Sequence, residues 1–398
     1  MRVLFFNEGN LGGHILGQGQ LDEALRVGLS VTPALEARFA GMTAMGRGAR
    51  FAAERSTPWL ERNNLDFRSL RWHVVQSLRA RSRLREALRL WPADVVHVHS
   101  QSVALAMSRM MAGRPIVLSV DATVYDWSAM PAWASPQIHE PLMIAPSRAL
   151  ERRVLHRAAL VLAWTGWARR GVERAAPDAR VIEHHPGIDL LRYRPAPRRA
   201  RERPRVLFVG GRFAAKGGED LLAALGEGLG RVWDLDIVTP AEVPERPGVR
   251  VHRLSPSDPA LLDLQQQADL MCLPTYGDGS PWALLEAMAC GTPVISTPVG
   301  GIAGMLDDGR AGVLVPYGDP RALGDAVRGL LGAPDRRAEL AGAARARCET
   351  RYDARRQFAA LAVRLIELSD AFHNGVPRRR STPNSSAPTA RSPNSSAG

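Results

Sequence analysis

Lys216 is the only lysine of the chain, against 51 arginines, and it stands in Arg205-Val-Leu-Phe-Val-Gly-Gly-Arg-Phe-Ala-Ala-Lys-Gly-Gly218. A compact ammonium on a flexible stem, at the exit of an expected strand, can meet a phosphate as a point charge. A compositional bias towards arginine accounts for its rarity equally well, so its position makes it a candidate. The most specific stretch is Leu273-Pro-Thr-Tyr-Gly-Asp-Gly-Ser-Pro-Trp-Ala-Leu-Leu-Glu-Ala-Met-Ala-Cys-Gly-Thr-Pro-Val-Ile-Ser296. Ser280 is expected to cap a helix with Pro281 at its first position, and Gly291 suits the far end. Strand, polar glycine loop and helix N-terminus then follow one another, which is where anions and nucleotides bind in open α/β sheets.

Two carboxylates belong to that stretch. Asp278 lies in the loop and can reach sugar hydroxyls; Glu286, eight residues on, lies within the helix and can face a ribose. Each charge-assisted hydrogen bond to a hydroxyl is worth about 1.5–3 kcal/mol. Taken singly, Asp278 reads as a turn residue and Glu286 as a solvated helix position. The segment from Pro281 to Cys290 is otherwise nearly all apolar, however, so Glu286 is expected to be buried, and a buried glutamate needs a partner.

A third group is Asp94-Val-Val-His-Val-His99, where strand alternation sets His97 and His99 on one face. A histidine pair on a strand is half a metal site, but no nearby Cys, His or acid completes it, so no metal is expected. Cys272, Cys290 and Cys348 are scattered without a CxxC spacing, which argues against a disulfide framework or a zinc cluster.

The elements that must position these groups are short apolar runs alternating with helical stretches, the pattern of parallel α/β sheets. Strands are expected at 3–6, 95–98, 116–120, 160–163, 206–209, 236–238, 269–273, 294–296 and 313–315. Arg2-Val-Leu-Phe-Phe and Arg205-Val-Leu-Phe-Val open almost identically, each before a glycine-containing loop. Two doubly wound, Rossmann-like domains are therefore expected: 1–194, and 205–354 after a proline- and charge-rich linker at 195–204. The segment 373–398 repeats Pro-Asn-Ser-Ser-Ala and holds little that is apolar, so it is expected to be disordered.

The 398 residues are 45% hydrophobic, enough for two cores. No apolar run approaches a membrane span and the N-terminal one is too short for a signal peptide, so a cytoplasmic location is expected. Four arginines and no acids follow Ala371, leaving the body +8 of the net +12. That excess favours an anionic partner without calling for nucleic acid. Between Leu70 and Leu90, apolar residues recur at Leu70, Val74 and Leu78 and at Ala80, Leu84 and Leu88, with six arginines interleaved. Such a helix can lie on the inner face of the plasma membrane, but packing on the sheet is the commoner use of the pattern.

The Asp278-x7-Glu286 stretch resembles the Glu-x7-Glu signature of the retaining GT-B glycosyltransferases of family four. The likeness extends to Gly12-Gly13, Asp94 to His99, Pro186-Gly-Ile-Asp189, Lys216-Gly217 and Asp308-Gly-Arg-Ala-Gly-Val-Leu-Val315. The resemblance implies a nucleotide-diphosphate sugar donor on the C-terminal domain, an acceptor hydroxyl on the N-terminal domain, and no separate cofactor. It also implies a last helix, 355–370, that returns to the N-terminal domain. Carried over by position, Glu286 binds ribose, Asp278 the donor sugar hydroxyls and Lys216 the diphosphate. Backbone around Gly279, Ser280 and Pro281 holds sugar or phosphate, His99 sits beside the donor sugar, and Gly12 and Gly13 form the N-terminal glycine loop. The acceptor is left open as a glycan, a lipid-linked or a small molecule.

Three positions depart from the family pattern. Asp278 is one methylene shorter than the usual glutamate. The phosphate-binding arginine is shifted by one, to Arg212, with Gly211 in its place. Gly304 replaces the glutamate after Gly300-Gly301, which leaves that loop a backbone role. The first two departures keep open a nucleotide-sugar or glycan-binding protein without turnover; a GT-B sugar epimerase is a further alternative, although the Pro186 and Asp278 stretches resemble transferases more closely.

Overall fold

The computed structural model describes residues 1–7, 15–32, 34–42, 45–55, 59, 67–132 and 140–375. The expectations for Gly12 and Gly13, and for the tail beyond 375, lie outside the described residues.

Two six-stranded parallel sheets organise the chain. The first holds β1 (Arg2–Asn7), β2 (Glu36–Gly41), β3 (Val95–His99), β4 (Ile116–Val120), β5 (Leu160–Ala163) and β6 (Val181–Glu183), in the order β2-β1-β3-β4-β5-β6. The second holds β7 (Arg205–Val209), β8 (Asp234–Val238), β9 (Val249–His252), β10 (Leu270–Leu273), β11 (Val294–Ser296) and β12 (Val313–Leu314), in the order β12-β11-β10-β7-β8-β9. The inner strands β3, β4, β5, β10 and β11 are buried along their whole length. Helices cover both faces, so these strands read as continuous apolar runs.

Strand order reverses beside the first strand of each sheet. In the first sheet the switch lies between β1 and β3, and in the second between β7 and β10. A crevice opens at such a point because the two connections leave in opposite directions. His99 at the end of β3 and the loops carrying Lys216 and Asp278 therefore all lie at switch points.

The helix Ala354–His373 packs on the helix Ile15–Leu29, and its Phe358, Leu361, Ala362 and Leu365 share a core with Val3, Phe5 and Val95 of the first sheet. The approach is close enough that a Cβ on Gly28 would lie 2.0 Å from Phe358 Cβ. The chain thus leaves the first sheet near residue 185 and returns near residue 353. The two crossings run side by side: Ile188 N donates to Tyr352 O at 2.7 Å, and Ala354 N to Ile188 O at 3.0 Å. Arg355 ties them with an ion pair to Asp189 at 2.7 Å.

The segment 195–204 forms no strand or helix and lies against the helix Pro259–Gln267. Arg199 N donates to Gln267 Oε1 at 2.9 Å, and Gln267 Nε2 donates to Pro197 O at 3.0 Å.

The helix Arg68–Leu90 forms across the arginine-rich segment, but half of its apolar pattern is core. Ala80 and Leu84 are fully buried with Val96, Val98 and Met107, while Leu78 and Leu90 remain exposed. The stripe Ala80, Leu84, Leu88 is therefore not available to a membrane. Among the described residues, no helix is long and apolar enough to cross one.

Candidate functional site

The loop after β7 turns tightly onto itself: Lys216 N donates to Arg212 O at 2.9 Å and Gly218 N to Phe213 O at 2.9 Å. Gly217 then takes φ 76° at the start of the helix Gly218–Leu225. A Cβ there would stand 2.1 Å from Pro274 O, so only glycine lets this loop press against the loop after β10. That contact brings Lys216 to Asp278. Lys216 Nζ donates to Gly277 O at 2.8 Å and forms an ion pair with the Asp278 carboxylate. Both side chains keep about a fifth of their surface exposed, 19% and 17%. Arg212 is exposed in the same loop.

The helix carrying Glu286 is Trp282–Ala289, with Pro281 as its N-cap and no side-chain cap. This corrects the expected Ser280 cap by one residue. The Ser280 hydroxyl is committed elsewhere: it lies 3.1 Å from His185 Nε2 and donates to Met305 Sδ. His185 Nδ1 accepts from Gly187 N at 2.9 Å. Burial pushes the pKa of His185 down to about 3, so the ring is neutral and Nε2 carries the proton that Ser280 accepts. Ser280 N in turn donates to Asp278 Oδ1 at 3.2 Å. Gly279 O accepts from Gly301 N at 3.1 Å, which gives the Gly300-Gly301 loop a backbone contact.

Glu286 is only 1% exposed. Its carboxyl oxygens accept from partners that residue-type reasoning missed, among them Tyr193 OH at 3.3 Å on Oε1 and Gln265 Nε2 at 2.8 Å on Oε2. A small cavity adjoins it, lined by Glu23, Asp189, Tyr193, Trp282 and Glu286 among others. Glu23 reaches over from the helix Ile15–Leu29 to an ion pair with Arg192 at 2.6 Å. Glu286 thus faces a tight junction.

His99 ends β3, 8% exposed, and its ring stacks on Trp164 with centroids 4.9 Å apart and an interplanar angle of 7°. Trp164 meets Trp282 edge-on at 5.9 Å. His99 is therefore linked through one indole to the first residue of the helix that carries Glu286. His97 is buried beside Ser119, 2.8 Å from its hydroxyl, and burial lowers its pKa to about 3. Among the described residues, no group of three or more His, Cys, Asp or Glu could hold a metal ion. The three cysteines are free and buried.

The carboxyl ends of the two sheets meet here. A Cβ on Gly279 would lie 2.9 Å from Asp121 O, just after β4, and Ala132 N donates to Tyr276 O at 3.0 Å. Lys216, Asp278, Gly279, Ser280 and Pro281 thus share one loop cluster. Glu286 lies behind it in the helix, and His99 faces it from the first sheet. Tyr193 and Trp164 sit close to recognisable motifs, Pro186 to Asp189 and the end of β5. A tyrosine or tryptophan at such a place reads as core until its partner is known.

A family model described as "Glycosyl transferases group 1" matches residues 203–333, and one described as "Glycosyltransferase Family 4" matches 38–192. A D-inositol 3-phosphate glycosyltransferase 2 of Catenulispora acidiphila is 34% identical over 42% of this chain and 45% of its own length. A D-inositol 3-phosphate glycosyltransferase of Thermobispora bispora is 32% identical over 51% of this chain and 54% of its own. The chain spans about half the length of these curated relatives. Among solved structures, a sucrose-phosphate synthase of Thermosynechococcus elongatus superposes with a TM-score of 0.69 at 17% identity, covering 93% of this chain and 99% of that one. Anabaena HepE in complex with UDP and glucose gives 0.64 at 18% identity, covering 92% and 100%. The two-domain α/β fold is thus shared with those structures. With both halves matched by the corresponding family models, this chain belongs to the family-four, group 1 glycosyltransferases of the GT-B fold.

Proposed function

We propose that this chain transfers a sugar, in the first place a hexose, from a nucleotide-diphosphate donor to an acceptor hydroxyl, with retention at the anomeric carbon and without a metal. The observation that carries the reading is the meeting of Lys216 and Asp278 at the switch point of the second sheet. A diphosphate carries more negative charge than one carboxylate and offers several oxygens. It displaces Asp278 from the ammonium and releases that carboxylate to the donor sugar's hydroxyls.

In the reaction, the bond from the anomeric carbon to the diphosphate oxygen breaks. The acceptor oxygen bonds that carbon on the same face, and its proton passes to the departing diphosphate. Lys216 and the N-terminus of the helix Trp282–Ala289 stabilise the charge that develops on the leaving group. Backbone around Gly279, Ser280 and Pro281 lies against the sugar or phosphates, Arg212 approaches them, and Glu286 takes the ribose. His99, held flat by Trp164, faces the sugar from the acceptor side. The first sheet with the returning helix 355–370 is the acceptor side, and 205–354 the donor side.

The relatives' names support a nucleotide sugar as donor and a hydroxylated acceptor. Glycans, lipid-linked sugars and small phosphorylated polyols all fit that class. A cytoplasmic location and peripheral contact through 70–90 belong to the same reading. The exposed Leu78 and Leu90 and their neighbouring arginines would make the contact, and sedimentation with anionic vesicles at low salt tests it.

The test is a thermal-shift screen of nucleotide sugars followed by release of free nucleoside diphosphate with crude acceptor. Stabilisation by one donor class together with release supports transfer. Stabilisation without release under any acceptor overturns it in favour of a binding protein, the alternative that the shortened Asp278 and the shifted Arg212 keep open.

A further inference from the structure

We propose that Tyr193 is a positioning residue for the nucleotide's ribose, acting through Glu286. The inference rests on the reading of Glu286 as the ribose carboxylate. Glu286 is held by donors from two elements. Gln265 comes from the helix Pro259–Gln267, and Tyr193 comes from the segment that follows the first sheet. These two bonds restrain the rotation of the carboxylate, whose oxygens can each accept more than one hydrogen bond.

Tyr193 is itself fixed. Its N–H donates to Asp189 O at 2.9 Å, and its carbonyl accepts from Arg345 Nη1 at 2.8 Å. The Arg192 guanidinium covers its ring at 5.2 Å. The ring is 4% exposed among Ile188, Leu190 and the apolar core of the second sheet, a space that phenylalanine would fill as well. The hydroxyl is therefore the part of the side chain that packing does not require, and it is aimed at Glu286. Burial and the negative charge of Glu286 raise its pKa, which keeps the phenol protonated and a donor at any physiological pH. At 3.3 Å the contact is longer than the usual O–H···O range of about 2.5–3.0 Å and has room to shorten. Tyr193, Glu286 and Trp282 line the same small cavity, so a hydroxyl entering there meets an already oriented carboxylate.

The test is calorimetric binding of UDP, ADP and GDP to the full chain, each against its 2′,3′-dideoxy form, for the wild type, Tyr193→Phe, Glu286→Gln and the double variant. The wild type is expected to prefer the best ribonucleotide over its dideoxy form by about ten-fold or more. Tyr193→Phe should reduce that preference about five-fold, with dideoxy affinity within about two-fold of wild type and no further effect in the Glu286→Gln background. A purely structural role would weaken both nucleotide forms alike. If Tyr193→Phe keeps the wild-type preference, Tyr193 does not position the ribose carboxylate, whatever Glu286 does. A wild type without preference overturns the ribose role of Glu286 and the inference with it. Binding of none of the six nucleotides overturns the donor reading itself, and again the inference. Near-equal melting midpoints of the wild type and Tyr193→Phe show that the fold is unchanged.

Discussion

Lys216 and Asp278 form an ion pair between the loops that follow β7 and β10, the two neighbouring strands at which the order of the second sheet reverses. The only ammonium side chain of the protein and the shortened acid of its signature thus hold each other at the mouth of the crevice. A diphosphate that approaches the ammonium competes there with the Asp278 carboxylate.

Asp278→Asn separates the two roles. With the competing charge removed, free nucleoside diphosphate should bind about three- to ten-fold more tightly, while sugar transfer falls at least ten-fold. Calorimetry and turnover on the same preparation check both. Loss of diphosphate affinity in this variant would mean that Asp278 does not compete for Lys216.

His99→Phe keeps a flat ring on Trp164 and removes the ring nitrogens. Stability in denaturant should stay within about 1 kcal/mol of wild type, and transfer should drop ten-fold or more. Unchanged transfer would take His99 out of the site.

Acid should destabilise the protein through buried histidines. Burial lowers His97 and His185 to about 3 and His184 to about 4, whereas all three take up protons near pH 6.5 once unfolded. The unfolded state then binds more protons, so their contribution is complete above pH 6.5 and is lost as pH falls from there towards 4. Each contributes on the order of 1 kcal/mol per pH unit. Glu151 opposes them. Buried and raised to about 7, it is protonated in the fold between pH 4.5 and 7, where the unfolded chain has released that proton. Glu151→Gln should therefore steepen the loss of stability between pH 6.5 and 4.5, as read by denaturant midpoints. A flat profile in both proteins would contradict this account.

Gly28→Ala should cost about 2–4 kcal/mol, because the new methyl would overlap Phe358 Cβ and pry the returning helix from the first sheet. Phe358→Ala should not rescue it, since the clashing Cβ remains. Urea midpoints of the two single variants and the double variant decide the matter.

Much of this architecture was legible as buried runs. Val95 to Val98, Ile116 to Val120 and Leu160 to Ala163 are covered on both faces, and their apolar continuity announces them. The strands that escaped, Glu36–Gly41, Val181–Glu183 and Val249–His252, are edges of their sheets, with charged and half-exposed residues and no apolar run. At the site, Lys216 stood out as a single lysine at a strand exit and Glu286 as a carboxylate in an apolar helix, whereas Asp278 and His99 took their expected roles from the family resemblance. Their partners could not be named. Tyr193, Gln265, Trp164 and His185 are ordinary core residues until the fold sets them beside a carboxylate, a ring or a hydroxyl. Ser280 shows the same limit: its type and spacing suit a cap, yet the tertiary contact with His185 claims the hydroxyl.

The most direct test of the proposed site is release of nucleoside diphosphate from the stabilising donor by wild type and Lys216→Ala side by side. Wild type should turn the donor over. Lys216→Ala should be slower by at least 100-fold, about 2.7 kcal/mol of lost leaving-group stabilisation, with a melting midpoint within a few degrees of wild type. Wild-type rates in a folded Lys216→Ala protein would contradict the placement of the donor diphosphate at this crevice.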